Sequence, residues 1–432
     1  MGKERVMESD WPIQKLGQVG VTLIDCDHRT PPAAEDGFPY VAIPQMKEGR
    51  IDFSGVRRIS REHFIEWTKK AKPQEHDVVL SRRCNPGVTA HVPAGLEMAL
   101  GQNLVLLRAD GSKVHPSFLR WLVSGPEWWD QVGKFINVGA VFESLRCRDI
   151  PSFELTLPPL SEQKRIAHIL GTLDDKIELN RRMNATLEAM ARTLFQSWFV
   201  DFDPVRRNAE GGESRPEDSL FPDSFEESKI GEVPKGWDVG SILREVDLLS
   251  GGTPKTDVSD YWNGSIPWAS AKDVSQCGEA FLVSTERTIT ELGVAKSATK
   301  IIPALSTVVV ARGATTGRLT MFGDSMAMNQ TCYALRSKVA APFALYCHAR
   351  HFIERLVQGA HGSVFETITT STFEATDVLL APKEVLIAFD EQVAPLFQQI
   401  RSNILQSRTL VSLREALLPK LLRGELSASQ LI

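Results

Sequence analysis

From Ile166 the apolar positions of this chain return in alternating steps of 4 and 3: Ile166, Leu170, Leu173, Ile177, then Asn180 and Asn184, then Leu187, Ala191, Leu194 and Trp198. That is the heptad stripe of a helix that lays a narrow seam on a partner helix. Just before it, "LPPLSEQ", Leu157 to Gln163, supplies a helix start: two prolines stop what precedes, and Ser161, Glu162 and Gln163 offer side-chain oxygens to the first turn. A second seam lies 223 residues further on: Phe389, Val393, Leu396, Ile400, Asn403, Ser407, Leu410, Arg414, Leu417 and Leu421. Asn180 and Asn403 fall at equivalent places, and a polar Asn in an apolar seam costs stability while fixing register and partner orientation. Replacing both with Leu is therefore expected to stabilise the helix pair and loosen its register. Arg414 interrupts the second seam and is expected near an end, or with its stem along the seam and its head in water. Each helix, about 40 residues at 1.5 Å rise, would be roughly 60 Å long, enough to hold two globular domains apart.

The same shift relates other stretches. "GAVFESL" (Gly139 to Leu145) matches "GSVFETI" (Gly362 to Ile368), and "LPP" at Leu157 matches "LAP" at Leu380. Nearer the start of each half the offset drifts by a few residues, as loop insertions cause. "RTPP" at Arg29 answers "GTPK" at Gly252, and "FPYVAI" at Phe38 answers "SIPWAS" at Ser265. "DVVLSRRCNPG" at Asp77 answers "TVVVARGATTG" at Thr307, and "ALGQN" at Ala99 answers "AMNQT" at Ala327. So long a period marks the tandem duplication of a globular unit plus a helix, not a solenoid. Within each unit, short β-rich runs such as "DVVLS", "NLVLLRA" and "STVVVAR" are bounded by Gly, Pro and Asn. The helical pieces "SFLRWLVSGPEWWDQV" and "FALYCHARHFIERLVQ" follow at matching places. The pattern predicts an α+β fold, duplicated about a pseudo-twofold.

Composition changes the picture little. The chain has 432 residues, 42% hydrophobic and 24% charged, room for two or three ordinary globular domains. There is no run of 18 apolar residues, and "MGKERVMESD" lacks the apolar centre of a signal peptide, so a cytoplasmic protein is expected. Six scattered cysteines without a CxxC pair indicate neither zinc ribbon nor disulfide framework. The net charge of -5 says nothing against an anionic partner: residues 1–157 balance at 20 basic and 20 acidic, whereas residues 201–235 carry 10 acidic against 5 basic and account for the imbalance alone. That Pro-, Gly-, Ser- and Glu-rich stretch reads as an acidic, at least partly disordered linker.

Catalytic chemistry is not evident. No GxxxxGK[ST] loop and no Rossmann GxGxxG occurs, and "SGGTPK" is not framed by the strand and helix that would make its glycines a phosphate cradle. Asp223, Glu227 and Lys229 imitate a metal-dependent nuclease motif but fall in the linker with only three residues between the acids. Cys347, His348 and His351 fall within one helical turn with no fourth ligand nearby and read as a solvated face, not a metal site. His168 lies on the outer side of the seam helix. "NPGV" at Asn85 lacks the second proline and the aromatic of the amino-methyltransferase signature.

A duplicated, non-catalytic pair of domains on a helical spacer resembles the specificity subunit of type I restriction-modification systems. The residues that carry the resemblance are "LPPLSEQKRIAHILGTLDDKIELNRR" (Leu157 to Arg182), "TLFQSWFVDFDPV" (Thr193 to Val205) and "LREALLPKLLRGEL" (Leu413 to Leu426). The second helix departs from the pattern, since "APKEVLIAFDEQV" lacks a Glu-Gln start directly after its proline. The resemblance implies a first target-recognition domain over 1–157, a central long helix over 158–200, the acidic linker over 201–235, a second target-recognition domain over 236–380 and a C-terminal long helix over 381–426, the two helices forming an antiparallel coiled coil. It implies that each domain reads one half of a bipartite, asymmetric site in double-stranded DNA while the helices set the unread spacer and dock two methyltransferase (modification) subunits. Restriction/translocase subunits would join through that complex. No cofactor is implied for this chain; S-adenosylmethionine, ATP and Mg are expected on partner subunits.

Base edges and phosphates are contacted by Arg, Lys, Asn, Gln and Thr on loops. Polar residues at corresponding points of the two copies are therefore the expected DNA-binding residues: Arg29, Thr30, Lys47, Arg82, Arg83, Asn85 and Gln102 in the first, and Thr253, Lys255, Lys272, Arg312, Thr315, Thr316, Arg318 and Gln330 in the second. Trp262 and Trp268 could stack on bases or pack inside. Two other readings stay open: a standalone DNA adenine methyltransferase with a cryptic cofactor site, and a two-lobed scaffold that binds no DNA.

Overall fold

A computed structural model describes residues 10–138, 143–211, 215–359 and 367–431. The chain divides into two units, residues 1–176 with 409–432 and residues 177–408. Most of "GAVFESL" and "GSVFETI" lies outside the described residues.

In the first unit an antiparallel four-stranded sheet runs in the order Val21–Asp25, Leu104–Ala109, Val78–Ser81, Thr89–His91. Its two middle strands are apolar on both faces, and the strand period of 2 divides them. Val78, Leu80, Val105 and Leu107 join one core with Phe118, Leu119 and Trp128 of the helices Pro116–Leu122 and Pro126–Phe135. Val79, Leu104 and Leu106 join a second core with Val41 and Met98. A smaller sheet orders Arg57–Ile59, Phe38–Val41 and Ala99–Leu100, and Ile13–Lys15 pairs with Glu154–Thr156 to tie the two ends of the domain together.

The second unit repeats this plan with a five-stranded sheet, Val246–Ser250, Cys332–Ser337, Thr307–Val310, Leu319–Phe322 and Phe281–Leu282. Beside it stands a four-stranded sheet, Arg287–Ile289, Trp262–Ala269, Met326–Met328 and Ile301–Ile302, and Asp238–Ser241 closes on Asp377–Leu380. The register is the same. Phe38, Pro39 and Tyr40 face Ile59, Arg58 and Arg57, as Ile266, Pro267 and Trp268 face Ile289, Thr288 and Arg287. Tyr40 pairs in parallel with Ala99, and Trp268 with Ala327.

This register corrects two of the sequence matches. Tyr40 corresponds to Trp268, one residue from the match of "FPYVAI" with "SIPWAS". Arg83, bridged to Ser144, corresponds to Arg312, bridged to Thr367, whereas the sequence match sets Arg82 there. The reason is a turn one residue longer in the second unit, between Arg312 and Gly317 rather than Arg83 and Gly87. The helical pieces differ too. Gly125 and Pro126 break the first into two helices, because Pro cannot donate within a helix, while the second runs unbroken as Pro342–Gly359.

The long helices are α1, Leu160–Phe199, and α2, Lys383–Leu422. The Glu-Gln start of α1 works through tertiary contacts: Gln163 accepts from His115 N–H and donates to the Pro158 and Lys113 carbonyls, and Glu162 accepts from Ala428 N–H. Lacking that start, α2 still begins directly after Pro382, and its Asp390 accepts the N–H groups of Phe343 and Ala344 instead. The helices are antiparallel, since partners fall on α2 as they rise on α1. In the first unit Asp174 meets Arg414 at 2.6 Å. In the second, Asn180 meets Ser407 at 3.1 Å, Asn184 meets Asn403 at 2.9 Å, and the Trp198 and Phe389 rings lie 5.6 Å apart.

Three expectations need correction. Arg414 does not hold its head in water; Asp174, only 14% exposed, holds it together with Arg120. The acidic stretch after α1 is folded over its described residues, with a helix at Asp203–Glu210 and a hairpin of Phe225–Ser228 with Gly231–Pro234. Val205 and Phe221 bury in the core that holds Phe199, Trp237 and Phe389, and buried Asp218 pairs with Arg207 at 2.6 Å. A few apolar anchors outweigh the charge excess. Finally, Cys347 and His348 are not on a solvated face: His348 is wedged against the Phe195 and Phe199 rings at 4.8 and 4.7 Å. Burial pushes the His348 imidazole down to about 3 and the Cys347 thiol up to about 12, so both sit there neutral.

Candidate DNA-contacting edges

In the first unit a strap from Cys26 to Ala34 crosses the end of the strands. The Tyr40 hydroxyl (3.2 Å) and the Trp67 indole N–H (2.9 Å) both donate to the Arg29 carbonyl. The Cys26 thiol donates to the Gly101 carbonyl, and Gln102 donates its amide to the Thr30 hydroxyl at 3.1 Å. Asn103, in the left-handed region at φ 68, then turns the chain so that its carbonyl takes the Arg82 N–H at 2.9 Å. The Arg82–Gly87 turn is fixed by Gly87 N–H to the Ser81 carbonyl, Leu145 N–H to the Arg82 carbonyl, and the Ser81 hydroxyl to the Arg83 carbonyl. Strap and turns thus bring Arg29, Thr30, Arg82, Arg83, Asn85 and Gln102 to one edge. Lys47 is not among them: it lies on the Met46–Lys47/Arg50–Ile51 hairpin, whose Gly49 takes the His91 N–H at the far end of the strand Thr89–His91.

The second unit builds the same edge from different side chains. Trp268 donates its indole N–H to the Gly252 carbonyl at 3.0 Å, as Tyr40 does to Arg29, and the Thr253 hydroxyl meets the Gln330 amide as Thr30 meets Gln102. Ala311 N–H reaches the Thr331 carbonyl, Ile368 N–H the Ala311 carbonyl, and Gly317 N–H the Val310 carbonyl. Thr253, Lys255, Arg312, Thr315, Thr316, Arg318 and Gln330 come together there, and Thr316 turns its hydroxyl inward to the Gly313 carbonyl. Lys272 stands apart on the helix Ala271–Gln276. Trp262 and Trp268 pack in a core with Ile289 and Ala327; they hold the strap and present no ring for stacking.

Electrostatics separates the candidates further. Arg29 forms ion pairs with Asp27 at 2.8 Å and Glu66 at 2.7 Å and lies over the Trp67 ring. Its guanidinium holds the Asp27 carboxyl down to about 2. The Lys47 ammonium does the same to Asp52, 2.7 Å away, and the Glu286 carboxylate raises the Lys272 ammonium. Arg83, Arg312, Arg318 and Lys255 are exposed and have no ion-pair partner among the described residues. Arg82 is half-buried, and its Nε has no hydrogen-bond partner among the described residues.

Tyr40 and Trp67, which fix the first strap, escape sequence reasoning, because only the strand register equates Tyr40 with Trp268. Asp25, Cys26 and His28 bring three possible metal ligands within reach of one another. Burial lifts the Cys26 thiol to about 11, however, and it is spent on Gly101. Lys229 pairs with Asp377 at 3.3 Å.

No helix among the described residues is long and apolar enough to cross a membrane. The profile of the type I restriction modification DNA specificity domain matches the chain twice, over residues 8–189 and 234–410. A HindI specificity subunit from Haemophilus influenzae is 27% identical over 66% of this chain and 72% of its own length. An MjaIX specificity subunit from Methanocaldococcus jannaschii is 26% identical over 69% of this chain and 66% of its own. The crystal structure of a type I restriction-modification S subunit from M. genitalium shares the fold at a TM-score of 0.56 and 13% identity, covering 97% of this chain and 98% of that one. The duplicated edge and the twofold profile match agree: the chain belongs to the type I restriction-modification DNA specificity family, as a sequence-specific DNA-recognition subunit and not a catalyst.

Proposed function

We propose that each unit reads one half of a bipartite, asymmetric site in double-stranded DNA through its strap and paired turns. The long helices set the unread gap and dock two methyltransferase subunits, restriction/translocase subunits join through that complex, and the assembly works in the cytoplasm. S-adenosylmethionine, ATP and Mg belong to those partners. One observation carries the reading: the two edges share backbone hydrogen bonds and the Thr–Gln pair but differ in the turn, Cys84-Asn85-Pro86 against Gly313-Ala314-Thr315-Thr316. A shared scaffold with different side chains at its tip suits two different half-sites, because base identity is read by side-chain donors and acceptors while backbone geometry positions them.

The test is methylome sequencing of cells that express this chain with its methyltransferase partner, before and after residues 236–380 are exchanged for those of another family member. One half-site should change and the other persist. Simultaneous change of both halves would refute the one-unit, one-half-site assignment, and the absence of any chain-dependent methylation would refute the reading as a whole.

A further inference from the structure

The register of the small sheets singles out a residue in each unit that short sequence matches miss. Arg57 faces Tyr40 across its strand pair, and Arg287 faces Trp268, so the two arginines occupy one position of the duplicated fold. Both are exposed. Each is held by groups that carry no charge. Arg57 donates from Nη1 to the Pro31 carbonyl at 2.9 Å, one residue beyond Thr30 on the strap. The Arg287 guanidinium lies 3.5 Å from the centroid of the Trp262 ring, whose own N–H donates to the Lys255 carbonyl of the strap. Neither arginine meets a carboxylate among the described residues. Arg29, by contrast, is neutralised by two, Asp27 and Glu66, and Lys47 and Lys272 by one each.

A cation already in an ion pair must give up that pair to bind a phosphate, which offsets most of the gain. An arginine anchored by a carbonyl or a ring keeps its whole charge, and its planar fork suits a phosphate oxygen pair. From this we infer that Arg57 and Arg287 are phosphate clamps. One in each unit grips the DNA sugar-phosphate backbone beside the bases read by the adjacent strap and turn, and Lys47 and Lys272 make no phosphate contact. The inference rests on the DNA-recognition reading above.

The experiment measures DNA affinity of the assembled methyltransferase complex against salt, for the methylated sequence and for a scrambled duplex. The variants are Arg57→Gln, Arg287→Gln, Lys47→Gln and Lys272→Gln, with thermal melts to confirm folding. Glutamine keeps an amide donor for Pro31 and a planar group for Trp262, so the strap keeps its anchor. Each arginine variant should weaken both duplexes by a similar factor and lower the salt slope by roughly 0.9, the value for one phosphate contact. The methylated sequence should stay the same, and the lysine variants should leave the slope unchanged. A folded arginine variant with an unchanged slope, a loss confined to the methylated sequence, or a slope that falls with the lysines would each overturn the clamp assignment. A wild-type complex that shows no sequence preference at all would instead refute the function proposed above.

Discussion

At one corresponding place the two units solve the same packing problem in opposite ways. In the first, Arg120 of the helix Pro116–Leu122 and Arg414 of α2 converge on Asp174 of α1, with Arg120 stacked on Trp121 at 4.0 Å. A shift of 223 carries Asp174 to Phe397 and Arg414 to Ala191, and the matching helices carry Arg120 to Tyr346. There Phe397 is fully buried, stacked on Phe343 at 5.0 Å and edge-on to Tyr346 at 5.5 Å. Aromatic burial stabilises without a partner requirement. A buried ion cluster stabilises only while complete, since every charge removed from water must find its counter-charge. Burial indeed lowers the Arg120 guanidinium from its ordinary value despite the nearby Asp174.

The largest expected effect breaks the ionic version. Asp174→Ala leaves two mostly buried guanidinium groups uncompensated and should cost the first unit about 3 to 5 kcal/mol. Converting the cluster to the second unit's solution, with Arg120→Tyr, Asp174→Phe and Arg414→Ala together, should restore or exceed the wild-type stability. Amide exchange resolved by unit under denaturant checks both variants. A triple variant no more stable than Asp174→Ala would show that the two sites are not interchangeable.

These two clusters also mark what the sequence could show. The seam was legible because heptad spacing is a local property, and it placed both long helices within a few residues of their ends. Arg414 stood out as an interruption, but its partner could not be found, because Asp174 lies beside the seam and Arg120 on a separate helix. The acidic stretch was misjudged by composition: average charge hides Val205 and Phe221, each worth a core contact. Which face of "CHARH" is buried depends on Phe195 and Phe199, more than a hundred residues away. On the edges, the Thr–Gln pair and the turns were legible as repeated motifs. The neutralisation of Arg29 by Glu66 and of Lys272 by Glu286 was not, because folding brings those acids from 37 and 14 residues away; that of Lys47 depends on the hairpin that returns Asp52 to it, 5 residues on.

The Asn pair of the seam gives the next largest effect and reverses the sequence-based expectation. Asn180 is fully buried, donating to Gln406 at 2.9 Å and Ser407 at 3.1 Å, while Asn403 donates to Asn184 at 2.9 Å. The bonds to Ser407 and Asn184 map onto each other under the shift of 223. Asn180→Leu with Asn403→Leu therefore removes the donors and strands the buried Asn184 oxygen, a loss of roughly 2 kcal/mol. Replacing Asn184 and Ser407 by Leu as well should return part of the gain first expected, since the seam then has no orphaned acceptor, while Glu279 beside it loses its Asn184 donor. Thermal melts of the double and quadruple variants decide. A more stable double variant would mean that the network contributes less than its desolvation costs.

A smaller, pH-dependent difference follows from Glu245, which stands where the first unit has Gly20. Lys338 donates its N–H to the Glu245 carbonyl as Asp110 donates to Gly20. Burial raises the Glu245 carboxyl from 4.5 to about 7, with Arg244 opposing weakly. The folded state thus keeps a proton that the unfolded state releases between those values. Stability of the second unit should fall as pH rises from 4.5 to 7 and stay level above, by roughly 1 kcal/mol for a partly exposed side chain. Glu245→Gln should abolish that slope, equal the wild type at pH 4.5 and exceed it at pH 8, with the first unit unaffected. Parallel urea melts across this pH range would show it, and a slope that survives the substitution would assign it to another group.

The smallest effect lies at the tip of the turn proposed to face DNA. Cys84 holds a left-handed φ of 65, and its counterpart in the second unit is Gly313 at φ 101. A side chain in that region costs roughly 1 to 2 kcal/mol, because Cβ crowds the neighbouring carbonyl. Glycine avoids the crowding but loses about 0.5 to 1 kcal/mol more chain entropy on folding. Cys84→Gly should therefore stabilise the first unit by only about 0.5 kcal/mol, while Gly313→Cys should destabilise the second by a similar amount. Amide exchange of residues 81–88 and 310–318 would register both shifts locally. If Cys84→Gly destabilises the first unit, the thiol makes a contact that offsets its strained backbone. If it stabilises the turn and also weakens DNA binding, the strain is kept because it aims Arg83 and Asn85, as strained residues at functional sites commonly do.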